Sequence, residues 1–411
     1  MIRIKKPKFS VCDIYALVIY ATLVVDFYRK FSGNVVGLPL STTMFRNLVY
    51  IGLFGALILS EKRVRQYAKL IIIAICFSVL TLISLLINWD RGATSLYVDV
   101  LFMFISRLLP AYYVGTMIVG REEEFVRSVN KFQILTVMYM GLIVLYPETS
   151  ETSYITIAFN LLIPSLVGLF GRETGFKGWI SKVIGLAGLA AILIYGGRTS
   201  VVSIIIAVVL FLLVALKNDA SWKKYALLLV VSVAAIVLLT QYNNIINSLL
   251  ASNPNSRTLK LLAKGEFLWS SNRDGYYNAA FDSIINHPLK VYGMLGDRFY
   301  YADTFNTVGD LAVVASMFSH NTMLELLLNF GVIPGLCINL FFIWKALQAV
   351  MNLNKRNDKT AWAIFIIVFA SAFAPLFISS SWLNDYGIWL MAGVILQLAK
   401  KPQVKTTTEK N

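Results

Sequence analysis

Long apolar stretches separated by short polar segments recur along the whole chain. About twelve of them have the length that an α-helix needs to cross a bilayer. They span residues 11–28, 44–60, 68–89, 97–119, 131–146, 154–170, 180–195, 199–216, 225–240, 322–350, 361–378 and 386–399. The pattern predicts an all-α polytopic membrane protein with about 12 transmembrane helices, forming a single integral membrane domain over residues 1–411.

Composition and loop charge refine this prediction. Hydrophobic residues make up 57% of the 411 residues and charged residues 14%, so a soluble fold could not cover the apolar surface. The basic start "MIRIKKPKFS" lacks a small-residue cleavage site and is expected to be an uncleaved cytoplasmic anchor. Alternate loops such as "EKRVRQYAK" and "NKRNDK" are basic, whereas "YPETSETS" and "SSSWLND" lack lysine. The positive-inside rule then predicts that both termini are cytoplasmic, and it favours the membrane over nucleic acid as the reason for the basic net charge.

One polar segment is far too long for a turn. Residues 241–319 fall on the predicted outer side, yet they carry several basic residues and the aromatic-rich stretches "FLWSSNRDGYYNAAF" and "DRFYYADTF". Long loops with such content are usually functional and folded. We expect a large, partly helical external loop with a basic inner face. The three cysteines, Cys12, Cys76 and Cys337, lie far apart in or next to apolar runs, which favours core packing over a disulfide or a metal site.

Arginines supply the first candidates for chemistry. In "IYGGRTSVV", Arg198 occupies an outer turn, where it could bind an anion or contact lipid headgroups. In "SSNRDGYYNAAFDSIINHPLKVYGMLGDRF", Arg273 and Arg298 bracket a predicted helix that ends at His287. Arginine forks bind phosphate oxygens bidentately, although pairing of these arginines with Asp274 and Asp297 is the simpler interpretation. Intramembrane Arg107 is expected to face the bundle interior, paired with Asp99 or Asp26, or to line a substrate cavity.

The stretch "FSHNTMLELLLNFGVIPG" places His320 at the mouth of a predicted span. An imidazole there can accept a proton from a hydroxyl, and capping or an interfacial position is the alternative. Asn321 follows, and Glu325 lies one helical turn later on the same face. Glu325 is a functional candidate because it is ionisable within a predicted membrane helix, unless it simply pairs with an arginine.

These segments together resemble the O-antigen polymerase and O-antigen ligase superfamily. The resemblance rests on three elements in order from residue 198 onward: a Gly-Arg-Thr turn, an arginine-led loop helix ending in "NHPLKVYGMLG", and "HNTMLELLLNFG" opening a helix. Gly197 stands where family members often have serine, and "YGMLG" replaces a tighter Gly-x-Gly.

The resemblance implies a polymerase of the bacterial cytoplasmic membrane that acts in capsular, exopolysaccharide or O-antigen synthesis. It would join oligosaccharide repeat units carried on undecaprenyl diphosphate, without metal or other cofactor. Arg198 and Arg273 would stabilise the leaving diphosphate and His320 would activate the acceptor hydroxyl, as catalytic residues. Arg298, Asn321, Glu325 and Arg107 would bind substrate. Besides membrane lipids, a flippase and a chain-length regulator are the implied partners.

Three alternatives stay open. A ligase-type transferase would use the same donor with another acceptor, and the motifs do not separate the two. A lipid-linked oligosaccharide flippase or transporter fits twelve spans and Arg107, but the chain shows no repeated halves. A structural scaffold leaves the arginines and the histidine unexplained.

Overall fold

The structure is a computed structural model. It describes residues 10–34, 40–60, 64–146, 151–218, 242–252, 254, 257–264, 273–307, 311–356 and 358–400. These residues form helices and turns without any β-strand, which confirms the predicted all-α class.

The helices follow the apolar stretches of the sequence. The first ten are α1 (Val11–Asn34), α2 (Thr42–Ser60), α3 (Val64–Ile87), α4 (Thr94–Met103), α5 (Leu109–Ile118), α6 (Glu122–Lys131), α7 (Gln133–Leu145), α8 (Glu151–Phe170), α9 (Gly175–Tyr195) and α10 (Arg198–Asn218). The next five, in the polar segment, are α11 (Tyr242–Ser252), α12 (Arg257–Ala263), α13 (Asp274–Asn286), α14 (Gly296–Thr304) and α15 (Leu311–Ser316). The last four are α16 (Thr322–Phe330), α17 (Val332–Arg356), α18 (Lys359–Ile378) and α19 (Tyr386–Leu398).

Several helices are long and apolar enough to cross a membrane. Among the described residues there are seven such spans, or eight if α6 and α7, which meet at 44°, form one broken span. The seven are α1, α2, α3, the run Thr94–Ile118, α9, α17 and α18. Shorter apolar helices cover Ile155–Phe170, Thr199–Val214 and Tyr386–Leu398. The chain is therefore a multi-pass membrane protein; the count of about twelve stays a prediction, and residues 225–240 lie outside the described residues.

The polar segment 241–319 is partly helical where it is described, with α11 to α15 inside it. Its position on the outer side of the membrane stays a prediction. At its C-terminal end the structure corrects the sequence analysis, because the predicted span 322–350 is two helices. Gly331 separates α16 from α17 with a φ of 82°, a backbone conformation that favours glycine. Since α16 buries Glu325 and Asn329, it belongs with the polar network described below rather than with the lipid-facing surface.

The centre of the bundle is α18, which packs against α10, α8 and α19. Helix α19 in turn packs closely on α5, where Gly115 faces Gly393. A Cβ atom on Gly393 would lie 2.2 Å from the carbonyl oxygen of Tyr112, and one on Gly115 would lie 2.2 Å from that of Leu390. Small residues of this kind let two membrane helices approach closely.

The periphery of the bundle is formed by α2, α3 and α17, which expose large apolar side chains such as Leu59, Ile72 and Leu340. In a membrane protein these side chains face lipid. Cys12 is buried, as predicted for core packing, whereas Cys76 and Cys337 are exposed, so the core-packing prediction is wrong for these two.

The close contact between α5 and α19 leads to a stability prediction. We expect Gly393→Ala to lower the melting temperature of the purified protein in detergent, with a loss of about 1–3 kcal/mol, because the added methyl group forces the two backbones apart. The control is Gly52→Ala on α2, where an added Cβ meets nothing within 4 Å. Equal melting temperatures for the two variants would show that α5 and α19 do not need this contact.

Candidate functional site

The C-terminal end of α18 leads into a turn with the sequence Ser-Ser-Ser-Trp-Leu-Asn-Asp, residues 379–385, which we call the serine turn. The Ser380 hydroxyl donates to Asp385 Oδ2 at 2.6 Å, and Asp385 Oδ1 accepts from the Gly387 N–H at 2.7 Å, which caps α19. The backbone N–H of Ser380 donates to the Pro375 carbonyl at 2.9 Å. The turn is therefore fixed at both ends by hydrogen bonds.

Two of the predicted catalytic residues meet at this turn. Arg273, immediately before α13, donates from its guanidinium to the carbonyl of Ile378, the last residue of α18. The imidazole of His320 lies against the backbone of the next residue, Ser379, which acts to raise the pKa of the ring. The structure thus brings together an arginine from one end of the loop helix and a histidine that precedes α16.

The surroundings of His320 suit a neutral imidazole. Its φ of 52° is unusual for a non-glycine residue, and its ring lies 4.1 Å from that of Phe318 and 5.9 Å from that of Tyr276, centroid to centroid. Burial, and then the charge of Arg273, lower the pKa of His320 to about 4. Its Nδ1 is buried and has no hydrogen-bond partner in the described part of the chain. A neutral imidazole with a free ring nitrogen can accept a proton.

Arg298 lies deeper, with 3% of its surface exposed. Its guanidinium donates to the carbonyl of Ala315 and, at 3.5 Å, to the Ser381 hydroxyl, and it lies 5.5 Å from the ring centroid of Phe318. Burial raises the pKa of the neighbouring Asp297, and the Arg298 charge opposes this effect. Arg298 therefore joins α14 to the serine turn by a buried, charge-assisted contact.

The side chains of Glu325 and Asn321 form hydrogen bonds with other groups of the protein. Glu325 is fully buried and accepts from the Ser381 hydroxyl at 2.6 Å and the Trp382 N–H at 3.2 Å. Asn321 caps α16, accepting from the N–H groups of Met323 and Leu324 at 3.0 and 3.2 Å. Both side chains thus position backbone in this structure, and their contact with substrate stays a prediction.

Arg107 lies in a π-helical turn, Phe104–Leu108, between α4 and α5. Its guanidinium lies 5.2 Å from the ring centroid of Tyr386 and 5.9 Å from that of Tyr50, and its charge acts on Asp385 at the end of the serine turn. The predicted ion-pair partners of Arg107, namely Asp26 and Asp99, are wrong. Asp26 accepts from Arg29 at 2.9 Å and from Tyr139, and Asp99 is exposed.

The backbone of Arg198 begins α10, and its side chain lies outside the described part of the structure. Helix α10 packs on α18, and its C-terminal residues Leu210 and Leu213 line the same cavity as Trp362 and Phe365 near the start of α18.

A large apolar cavity adjoins the site. It has a volume of about 1050 Å³ and lies between α3, α10 and the last four helices. Its wall includes many aromatic residues: Phe77, Phe104, Phe330, Phe342, Phe365, Phe369, Phe373, Phe377, Trp382 and Trp389. Thr322 and Met323, which follow Asn321, also line it, as do Leu376 and Phe377 next to Ile378. The cavity therefore reaches the end of α18 where Arg273 and His320 meet.

The serine turn was not among the residues predicted from the sequence, although Ser381 bonds to Arg298 and Glu325, and the Ser380 carbonyl accepts from the Thr322 hydroxyl. The stretch "SSSWLND" is a polar run in a loop between two apolar spans, and nothing local relates it to residues 273 or 320. Tyr276, three residues after Arg273, was also missed. His287 does occupy the predicted position at the end of α13, where its N–H bonds to the Ser283 carbonyl.

Comparison with known proteins identifies a similar family. A family model described as O-antigen ligase matches residues 183–340, from α9 into α17. This match confirms the resemblance to the O-antigen ligase and polymerase superfamily and covers Arg198, Arg273, Arg298 and His320. Arg107 and the serine turn lie outside it. A comparison with curated proteins finds no match.

The buried carboxylate leads to a second stability prediction. We expect Glu325→Ala to destabilise the purified protein by about 1–3 kcal/mol, because it leaves the Ser381 hydroxyl and the Trp382 N–H buried without their acceptor. Glu325→Gln keeps an acceptor for Trp382 and should lose less. The control is Glu123→Ala, whose side chain is 71% exposed and should change stability little. Thermal unfolding in detergent measures the melting temperature of each variant. Equal melting temperatures for all three variants would contradict the expected order of stability.

Proposed function

We propose that this chain, similar to O-antigen ligases over residues 183–340, is a membrane glycosyltransferase that polymerises oligosaccharide repeat units carried on undecaprenyl diphosphate. The observation that carries the proposal is the meeting of Arg273 and His320 at the end of α18, beside an apolar cavity. A lipid diphosphate needs such a combination, because its tail is apolar and its headgroup is anionic. The reaction would take place at the outer face of the bacterial cytoplasmic membrane.

The cavity supports the tail-binding part of the proposal. Its wall is almost wholly apolar, with Thr322, Asn339 and Asn354 as polar exceptions. Pockets that bind small molecules are mostly apolar, with a few polar groups that fix orientation. A prenyl chain in this cavity would place its diphosphate near Thr322 and Phe377, within reach of the arginine at the end of α18.

Arginine charge supports the leaving-group part of the proposal. As the bond between the anomeric carbon and the diphosphate oxygen breaks, negative charge grows on the diphosphate. Arg273 and Arg198 would stabilise that charge, with Arg298 behind them, because preorganised guanidinium groups bind phosphate oxygens bidentately. These charges take the role that a divalent cation plays in other phosphate sites, so the proposed reaction is metal-independent and uses no cofactor.

His320 supports the acceptor part of the proposal. The acceptor hydroxyl oxygen forms the new bond to the anomeric carbon, and its proton passes to the free Nδ1 of His320. The rings of Phe318 and Tyr276, 4.1 and 5.9 Å from the imidazole, hold it in place. Tyr276 lies 5.9 Å from the histidine ring and 5.1 Å from the ring of Phe305, centroid to centroid, and the two aromatic rings offer apolar surfaces for the acceptor sugar. Arg107 would act on the site from a distance, through its charge on Asp385.

A ligase reaction is the second candidate, and the similarity of residues 183–340 to the O-antigen ligase family favours it. The donor chemistry is the same, and the acceptor would be a lipid core or a protein instead of a second glycan. In either case the proposed partners are a flippase that supplies the donor and, for a polymerase, a chain-length regulator.

Reconstitution tests the reaction. We expect purified protein, mixed with the undecaprenyl-diphosphate repeat unit of its host in the presence of chelator, to give a ladder spaced by one repeat unit on a gel. His320→Ala and Arg273→Ala should abolish the ladder, because the first removes the proton acceptor and the second removes charge at the leaving group.

Matched control variants separate chemistry from folding. His287→Ala changes the other histidine, which is exposed at the end of α13, and Arg127→Ala changes an arginine whose side chain is 68% exposed. Both should keep the ladder. A normal ladder from His320→Ala would remove the histidine from the mechanism. If wild-type protein leaves the repeat unit unchanged but consumes it once a core acceptor is added, the ligase reaction is favoured.

The lowered pKa of His320 leads to a separate prediction about the titration of its imidazole. Because its pKa is lowered to about 4, the imidazole is neutral and able to accept a proton throughout the range from pH 5 upward. We expect the single imidazole signal of the His287→Gln variant, labelled with ¹⁵N-histidine, to titrate near pH 4 in detergent micelles. Arg273→Gln should move this midpoint upward, because it removes a positive charge beside the ring. A midpoint near 6.5 in the parent would show a solvated histidine instead.

A further inference from the structure

An exposed apolar surface lies on α13 and the segment that follows it. Phe281 is 51% exposed, Ile285 73%, Leu289 76% and Val291 46%. We call these four side chains the loop patch. Exposed side chains of this size cost free energy in water, about 25 cal/mol per Å² of apolar surface. Contiguous exposed apolar surface of this kind marks an interaction site.

The opposite side of α13 is fixed against the protein. Ala279, Ala280 and Ser283 are buried, the Tyr300 hydroxyl donates to the Ala279 carbonyl at 2.9 Å, and the hydroxyls of Ser283 and Tyr292 are 2.8 Å apart. The helix therefore cannot turn the loop patch inward without breaking these bonds.

The loop patch adjoins a membrane-spanning helix. The Val332 N–H, at the first residue of α17, donates to the Pro288 carbonyl at 3.1 Å, and a Cβ on Gly331 would lie 3.4 Å from the Val291 side chain. The exposed apolar strip of α17 starts there, with Ile333 63% and Leu336 48% exposed. Since α17 is a candidate span, this strip faces lipid from its first turn onward.

Polar groups border the loop patch as they do on helices that lie at a membrane surface. Asp282 and Asn286 are exposed on the neighbouring face of α13 and are bonded to each other at 2.7 Å. Lys290 is exposed between Leu289 and Val291, with its ammonium 4.6 Å from the ring centroid of Tyr292. A lysine in this position can extend its ammonium to lipid phosphates while its stem stays in an apolar layer.

We infer that the loop patch of Phe281, Ile285, Leu289 and Val291 is inserted into the membrane leaflet at which α17 begins, with lipid as its partner. The continuity with the lipid-facing strip of α17 selects lipid over a second protein. The insertion holds α13, and Arg273 immediately before it, at the depth of the lipid phosphates. The consequence for the reaction rests on the proposed function, whereas the insertion itself does not.

Fluorescence in proteoliposomes tests the insertion without any assay of activity. In a background with Cys12, Cys76 and Cys337 replaced by alanine, Ile285→Cys and Leu289→Cys are labelled with the environment-sensitive dye NBD. Asp282→Cys and Asn286→Cys, on the polar flank of the same helix, are the matched controls. Each protein is reconstituted in phosphatidylcholine and phosphatidylglycerol vesicles, with or without lipid carrying a 5-doxyl or 12-doxyl chain.

We expect NBD at positions 285 and 289 to emit at shorter wavelength than at 282 and 286. Doxyl lipid should quench it, about twofold more strongly at the 5-position than at the 12-position, because an interfacial helix reaches only the upper part of the acyl chains. Equal emission at all four positions without quenching would overturn the inference. A short emission wavelength without quenching would overturn it too, because protein and not lipid would then cover the loop patch.

Disulfide cross-linking tests whether a second copy of the chain covers the loop patch. Oxidation of unlabelled Leu289→Cys in the same vesicles should leave the protein monomeric on a non-reducing gel. A disulfide-linked dimer that forms in place of doxyl quenching would assign the loop patch to contact between chains. Because neither readout uses the glycosyl-transfer reaction, failure of the proposed function and failure of this inference give different results.

Discussion

The site depends on one physical constraint, namely that charges buried inside an apolar helical bundle must be compensated. Arg298 and Glu325 are nearly or fully buried, and both bond to Ser381. Removing water from an unpaired charge costs several kcal/mol, so the positions of α14, α16 and the serine turn are coupled through these two residues. The same turn holds Asp385, on which the charge of Arg107 acts, so a second arginine of the bundle is coupled to it.

Further contacts, nearer the surface, fold the polar segment against the bundle. A bidentate ion pair, with both N–O distances at 2.7 Å, joins Arg91 to Asp303 of α14. Asn88 donates to the Tyr292 carbonyl at 2.9 Å, and Tyr97 donates to the Met294 carbonyl at 2.9 Å. These contacts position the segment after α13 on the α3–α4 turn. They leave Arg273 and His320 at the boundary between the polar segment and the apolar cavity.

The two sides of that boundary suit the two parts of an amphipathic substrate. The cavity wall is aromatic and aliphatic, whereas arginines, a neutral histidine and a hydroxyl-rich turn gather at its end. A low-dielectric neighbourhood strengthens the effect of each guanidinium on a developing negative charge. The proposed glycosyl transfer uses this division, with the lipid tail on one side and the sugars on the other.

The sequence by itself determined the all-α class, the membrane location and the family resemblance, because hydropathy, helix length and short motifs are local properties. It also placed His287 correctly at a helix end. Only the tertiary structure decided that the apolar run after His320 breaks at Gly331, that Asn321 caps α16, and that Glu325 bonds to the serine turn. It also replaced the expected partners of Arg107 with Tyr50 and Tyr386. Which groups satisfy a buried charge depends on residues brought close by packing, and no periodicity or spacing along the chain records that proximity.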